Sequence, residues 1–121
     1  MSKKPFWITS FEAELDIERR LAAAGEDCRT PEEVLTKLSA LAAFLDRNDL
    51  STRRLGNAQD RVDEDFVLTS GDLTPTGIMV MRKAYETWQR RAKSPADVRS
   101  LERALAQLRA AESNKGSKRL P

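Results

Sequence analysis

The sequence predicts an all-α fold: a single-domain bundle of four main helices, with a short extra helix and an extended segment between the second and the third. Three pairs of residues, Thr30-Pro31, Thr74-Pro75 and Ser94-Pro95, each precede a run of regularly spaced apolar residues. A Ser or Thr caps free backbone N–H groups, and Pro is tolerated at the first helical position, so each pair marks a helix start. The 121 residues, 40% of them apolar, suffice for one core.

The first helix is expected from about Phe11 to Ala24. Thr9 as the N-cap and Glu12 three residues later would form a capping box, and Gly25 would end the helix in a left-handed conformation. Its expected apolar side consists of Phe11, Leu15, Ile17 and Leu21.

The second helix has the clearest pattern. It is expected to begin at Thr30-Pro31, where Glu33 completes a capping box, and to end at Asn48-Asp49. Four apolar residues recur at helical spacing and predict its core-facing side: Val34, Leu38, Leu41 and Leu45.

The connection to the third helix contains three different patterns. Residues 50–55 are predicted as a short helix, and the polar residues 57–65 as a loop. Residues 66–68, Phe-Val-Leu, are expected to run extended across the bundle, because three residues are too few to sustain a sheet.

The third and fourth helices are expected over residues 75–92 and 95–111. The apolar stripe of the third is Ile78, Met81, Tyr85, Trp88 and Ala92. That of the fourth is Val98, Leu101, Leu105 and Leu108. The helical domain would then cover residues 9–111, preceded by an arm (1–8) and followed by a disordered basic tail (112–121).

The composition argues against most enzyme classes. The chain has no histidine and one cysteine, Cys28, which excludes zinc sites made of four cysteines or of two cysteines and two histidines. Cys28 is either a thiol activated by Arg29 and the following helix or an incidental surface residue. No glycine-rich phosphate loop is present. We therefore expect a non-enzymatic protein without a cofactor or a metal ion.

The net charge of +2 conceals an asymmetry between the halves of the chain. Residues 1–70 carry an excess of acidic side chains and residues 71–121 an excess of basic ones. The asymmetry fits either helices that attract one another or a partner with its own charge pattern.

No signal-peptide pattern occurs, and the longest apolar run, residues 40–45, is far too short to span a membrane. We expect a cytoplasmic protein with no membrane partner.

An acidic cluster in the loop is the first candidate site. It consists of Asp60, Asp63, Glu64 and Asp65. Arg61 and Val62 break the alternation of ligands that a calcium loop requires, which disfavours a metal site. The cluster is either a solvated loop or a surface that docks on a basic site of a protein partner.

A basic face on the third helix and the segment after it is the alternative site. It consists of Arg82, Lys83, Arg90, Arg91 and Lys93. A one-sided group of cations is typical of nucleic-acid binding, although Glu86 interrupts this group and a solvated helix face has the same pattern.

Aromatic residues occur in two places. Phe6 and Trp7 near the N-terminus either cover one end of the bundle or mediate a homodimer. Tyr85 and Trp88 have helical spacing beside Met81, which favours a place in the core over ligand stacking.

Residues 65–77, Tyr85 with Trp88, and residues 94–97 with Leu101-Glu102 resemble small all-helical proteins of Gram-negative bacteria. The resemblance covers roughly residues 30–110. In those proteins an acidic-aromatic run leads to a Leu-Thr segment, a Tyr-x-x-Trp helix and a final Leu-Glu helix. Small proteins of this kind look like the immunity partners of secreted bacterial toxins. The resemblance therefore implies a protein that neutralises a cognate toxin. We expect the mechanism to be occlusion, in which the acidic cluster covers a cationic active site of the toxin.

Overall fold

The computed structural model describes residues 7–91 and 94–118. The elements follow in the order β1 (Trp7–Ser10), α1 (Phe11–Ala23), α2 (Pro31–Arg47), β2 (Val67–Thr69), a 3-10 turn (Ser70–Asp72), α3 (Pro75–Arg91) and α4 (Arg99–Lys118). The described chain is mostly helical, as the sequence predicts, and it also contains a small sheet. None of the helices within these ranges is long and apolar enough to cross a membrane.

β1 and β2 form a two-stranded antiparallel sheet. Thr9 lies opposite Leu68 and Ser10 opposite Val67, and the N–H of Phe11 donates to the carbonyl oxygen of Phe66 at 3.1 Å. The expectation that residues 66–68 run extended is confirmed, but the expectation that they form no sheet is wrong. The short strand persists because its partner is the segment before α1 and because Leu68 is fully buried.

The predicted cap of α2 is correct, whereas the predicted cap of α1 is not. The capping box of α2 is confirmed in both directions, between the Thr30 side chain and the Glu33 N–H and between the Glu33 side chain and the Thr30 N–H. Gly25 has the predicted left-handed backbone, with φ of +77°. At α1, however, Ser10 is the N-cap, because the hydroxyl of Thr9 is buried and donates to Glu14.

The predicted short helix over residues 50–55 is wrong. Backbone groups that would close a helical turn bond elsewhere: the N–H of Thr52 donates to the carbonyl oxygen of Asp72 at 2.8 Å, and Ser51 forms a bridge with Leu73. These residues therefore run as an irregular segment beside the start of α3.

The bounds of α4 differ from the prediction at both ends. The helix begins at Arg99, because the residues after Ser94 form a turn in which the Asp97 N–H donates to the Ser94 carbonyl at 3.1 Å. The side chain of Asp97 accepts from the N–H of Arg99 at 3.0 Å, so the carboxylate occupies the helix start. The helix continues past Ala111, the expected end, to Lys118.

The core is built mainly from α2, α3 and α4. Trp88 is fully buried and Tyr85 half-buried, so the expectation that this pair packs in the core is confirmed. The predicted apolar side of α1 is only partly correct: Phe11 is buried, whereas the other three members are half-buried. The remaining fully buried residues of α1 are Glu14 and Glu18.

Candidate functional site

The predicted acidic cluster lies on the irregular segment between α2 and β2, and that segment is anchored at two points. The first anchor is Asp46 at the end of α2. Its carboxylate accepts hydrogen bonds from the N–H groups of Leu55 and Gly56, each at 3.0 Å, and from the hydroxyl of Ser51 at 2.8 Å. One carboxylate thus replaces the backbone pairing that this irregular segment lacks.

The second anchor lies closer to the cluster. The hydroxyl of Ser39, buried on α2, accepts from the N–H of Val62 at 3.0 Å. Four residues after Val62, the N–H of Phe66 donates to the carbonyl oxygen of Asp63 at 3.2 Å, and the Phe66 side chain is buried. The chain between these points is a tight turn held on both sides.

We call Asp63, Glu64 and Asp65 the acidic turn. All three side chains are exposed, and no cation within the described ranges forms an ion pair with them. Asp63 also stabilises the turn, because its Oδ1 accepts from the N–H of Asp65 at 3.0 Å. The structure therefore brings three of the four predicted acidic residues together as uncompensated carboxylates.

Asp60, the fourth predicted residue, belongs to a different arrangement. Its Oδ1 lies 3.1 Å from Nη2 of Arg54, so its charge is already paired. Its backbone is left-handed, with φ of +56°, and it closes a turn in which its N–H donates to the carbonyl of Asn57 at 2.9 Å. Asp60 therefore stabilises the conformation of the loop and does not add a free negative charge to the surface.

A shallow hollow of about 410 Å³ lies beside the acidic turn. Leu55, Val62 and Phe66 supply apolar lining, and Asp63 and Asp65 lie at the same hollow. Arg53 also lines it, but its guanidinium is bound to Asp72 at 2.8 Å. The hollow thus combines an apolar surface with the carboxylates of the turn.

Asp72 fixes the other end of this region. Partial burial opposes ionisation of its carboxyl, but the N–H and hydroxyl of Thr69 and the guanidinium of Arg53 together hold its pKa below the usual value. The N–H of Thr69 donates to Oδ2 at 3.0 Å. This carboxylate therefore ties β2 to the segment that contains Arg53.

The structure places part of the alternative basic face on α3. Arg82, Lys83 and Arg90 are exposed there, and Arg90 forms an ion pair of 3.3 Å with Glu86. Lys93 and the side chain of Arg91 lie outside the described residues. Phe6 and the side chain of Trp7, the predicted homodimer contacts, lie outside them as well.

Cys28 is exposed and forms no disulfide. It lines a broad groove of about 1060 Å³ between the end of α1 and the end of α3, together with Arg29 and Gln89. No group of three or more His, Cys, Asp or Glu residues in the described part of the chain could hold a metal ion.

The sequence analysis missed a buried polar cluster between α1, α2 and α3. Its centre is Glu14, which is 1% exposed. The hydroxyls of Thr9 and Tyr85 donate to Glu14 Oε2 at 2.6 and 2.5 Å, and Nζ of Lys37 lies 3.6 Å from Oε1. A carboxylate in the interior requires such partners, because an unpaired buried charge is very costly.

Lys37 is the cation of this cluster and is equally buried. Its Nζ donates to the carbonyl oxygen of Gln89 at 3.0 Å and lies 4.5 Å from the ring centroid of Trp88, so it also makes a cation–π contact. Burial lowers the pKa of Lys37, while the charge of Glu14 raises it less strongly. Burial and the contact with Glu14 raise the pKa of Tyr85 far above its usual value.

A signal for this cluster existed in the spacing of the charged residues. Glu14 and Glu18 lie three and seven positions after Phe11, and Lys37 lies three positions after Val34. These positions share a helix face with a core residue. Hydropathy alone assigns all three to solvent, so the spacing had to be weighed against the residue type.

Comparison with known proteins adds no assignment: no family model, curated protein or solved structure matches the chain.

Proposed function

We propose that this protein is a non-enzymatic protein-binding module that uses the acidic turn to dock on a cationic surface of its partner. The observation that carries the proposal is the acidic turn itself: three exposed carboxylates, without a cation paired to them in the described chain, held between two anchored points. We also propose a bundle arrangement for the four helices, since α1 packs against α2 and α3 against α4.

The anchoring of the turn supports a binding role. A loop that is already ordered loses less conformational entropy on association than a loop that must fold onto its partner. Asp63 and Asp65 have short side chains, which also limits the entropy lost. Exposed carboxylates of one sign accelerate encounter with a cationic surface and make the association depend on salt.

The more specific form of the proposal is an immunity protein of a bacterial toxin. Its support is the resemblance of residues 65–77 and of the following helices to small helical proteins of Gram-negative bacteria. In this form the acidic turn covers a cationic active site of the toxin, as a nucleic-acid-cleaving or phosphate-binding enzyme would present. Inhibition then results from occlusion and requires no chemistry by this chain.

The test compares two double charge reversals in the full chain. Glu64→Lys with Asp65→Lys alters the acidic turn, and it spares Asp63, whose side chain supports the turn. Glu26→Lys with Asp27→Lys makes the same change in charge on exposed residues of the α1–α2 connection, far along the chain from the turn. Tagged wild-type and variant proteins are used to capture partners from the lysate of the host, with and without nuclease, at low and moderate salt.

The expected result is a stoichiometric protein that binds the wild type and the control variant and that is lost with the acidic-turn variant. Its affinity for the wild type falls as salt increases. If both variants retain it equally, the acidic turn is not the binding surface. If nucleic acid is recovered instead and is lost on nuclease treatment, the basic face of α3 becomes the site, and Lys83→Glu with Arg90→Glu should abolish that recovery.

A further inference from the structure

β1 and α1 contribute to the interior in a different way from the rest of the described chain. Among residues 8–23, whose burial the structure describes, Phe11 is the one buried apolar residue, while Ile8 and Leu15 are half-buried and pack against the core. Of the six buried polar or charged residues, four belong to them: Thr9, Ser10, Glu14 and Glu18. The fully buried side chains of β1 and α1 are therefore mostly polar, and of their contacts those of Glu14 and Glu18 reach outside the two elements.

We propose that β1 and α1 form a detachable unit, which separates from β2 and opens away from α2 and α3 while the rest of the fold stays intact. We call residues 7–23 the N-terminal unit. The proposal goes beyond the binding role of the acidic turn and does not depend on it.

Besides the backbone pairing of β1 with β2, Glu14 is the main side-chain point of attachment. Two of its contacts cross from the N-terminal unit to other helices: the hydroxyl of Tyr85 on α3 donates to Oε2, and Nζ of Lys37 on α2 lies 3.6 Å from Oε1. The contact with Thr9 lies within the unit and orients the carboxylate. The charges of Arg29 and Glu18 also act on the Lys37 ammonium: Arg29 lowers its pKa and Glu18 raises it. The charges around this ammonium therefore come from α1 and the α1–α2 connection.

The polar character of this attachment determines how opening responds to denaturant. When the N-terminal unit opens, water replaces the hydrogen bonds to Glu14, so their net loss is small. The apolar surface that becomes exposed is that of Phe11, of half-buried residues such as Leu15 and of the core residues that they cover, which is less than global unfolding exposes. The free energy of an opening that exposes little surface changes weakly with denaturant concentration, whereas the free energy of global unfolding changes strongly.

Opening uncovers a surface of α2 and α3 that is closed in the structure. Lys37, which is 1% exposed, lies directly against Glu14. The N-terminal unit is thus a strap that covers Lys37.

Native-state hydrogen exchange of the full chain in increasing urea tests the proposal. We expect the free energy of opening measured at α1 amides to fall less steeply with urea than the free energy of global unfolding. The values for α2 and α3 amides should follow the steeper dependence of global unfolding. The proposal is overturned if the amides of all three helices follow one common dependence from the lowest urea concentration upwards.

Two variants separate local from global effects. Glu14→Gln removes the charge that faces Lys37, and we expect α1 amides to exchange about tenfold faster or more, with α2 and α3 amides changed by less than about twofold. Leu101→Ala, in the core on α4, is the matched control and should accelerate the globally exchanging amides of α2 and α3 instead. Equal acceleration of all helices by Glu14→Gln contradicts a detachable unit.

Chemical labelling of the Lys37 amine gives a readout that does not rely on amide exchange. In the closed form Lys37 is buried, so an amine-reactive reagent reaches it only through opening. Its labelling rate should rise in Glu14→Gln by the same factor as α1 exchange, while the exposed Lys83 is unaffected. A Lys37 rate that instead tracks global unfolding in both proteins overturns the proposal.

Discussion

The phenol of Tyr85 donates a hydrogen bond of 2.5 Å to Oε2 of Glu14, a residue 71 positions earlier in the chain. This contact joins the first helix to the third, and it holds in the interior a carboxylate that hydropathy alone assigns to solvent. The Lys37 ammonium approaches the other oxygen of the same carboxylate. The stability of the α1 attachment therefore depends on three side chains that all have polar ends.

Removing the Tyr85 hydroxyl should destabilise the protein. Tyr85→Phe deletes one of two hydroxyl donors to Glu14 Oε2, and a hydrogen bond to a charged group contributes about 1.5–3 kcal/mol. Urea unfolding measures the change. Thr87→Val, exposed on the same helix, is the control and should change stability by less than about 0.5 kcal/mol. A Tyr85→Phe variant as stable as the control would show that the bond contributes nothing net.

Removing the Lys37 charge alone should cost more than removing both charges. Lys37→Met leaves the buried Glu14 carboxylate without its cation, a change that typically destabilises by about 3–5 kcal/mol. Adding Glu14→Gln to Lys37→Met should restore part of this stability, because no uncompensated charge remains. A double-mutant cycle by urea unfolding measures the coupling. Additive effects of the two substitutions would show that the two side chains do not interact.

The free energy of unfolding should first rise with pH and then fall, with the reversal near the ordinary pKa values of lysine and tyrosine. The pKa of Lys37 is lowered from 10.5, so the unfolded state binds the proton more tightly and stability rises with pH up to about 10.5 from this group. The pKa of Tyr85 is raised above 10.0, so the unfolded state loses its proton first and stability falls as pH rises through about 10.

Urea unfolding between pH 7 and pH 11 measures both contributions. In Lys37→Met the rise below pH 10.5 should disappear, and in Tyr85→Phe the fall above pH 10 should be reduced. Profiles of both variants parallel to that of the wild type would mean that other groups cause the dependence.

Gly77 should not tolerate a side chain. A Cβ at this position would collide with the carbonyl oxygen of Leu50, which accepts the N–H of Thr74 at 2.9 Å. Gly77→Ala should destabilise by about 2 kcal/mol or more, although Ala is ordinarily preferred to Gly within a helix. Gly25→Ala is the comparison: it meets open space and is penalised only for its left-handed backbone, by about 1–2 kcal/mol. Gly77→Ala with wild-type stability would exclude the close approach of α3 to Leu50.

Asp46→Asn should loosen the loop without changing the charges of the acidic turn. The variant weakens the hydrogen bonds from the N–H groups of Leu55 and Gly56, each of which involves a charged acceptor and contributes about 1.5 kcal/mol or more. Amides of residues 55–66 should exchange faster, and affinity for the partner of the acidic turn should fall. Unchanged protection of this segment would show that Asp46 does not anchor it.

The local elements of the fold could be predicted from the sequence because their causes are local. The capping box of Thr30 and Glu33, the left-handed Gly25 and the core face of α2 each depend on residues within one or two helical turns. The exposed position of the acidic turn followed from its composition in the same way. The sequence also suggested four acidic residues in one group, and only the contact with Arg54 separates Asp60 from the others.

The small sheet, the irregular course of residues 50–55 and the buried cluster at Glu14 were decided by tertiary structure. Each depends on groups distant in sequence: β1 pairs with β2, the N–H of Thr52 meets the carbonyl of Asp72, and Tyr85 meets Glu14. The sequence by itself determined where α2 and α3 start and which faces of α2, α3 and α4 are apolar, since backbone capping and helical period act over a few residues. Which polar side chains could enter the interior was settled only by packing, because a buried carboxylate is tolerated only where the fold supplies its donors and its cation.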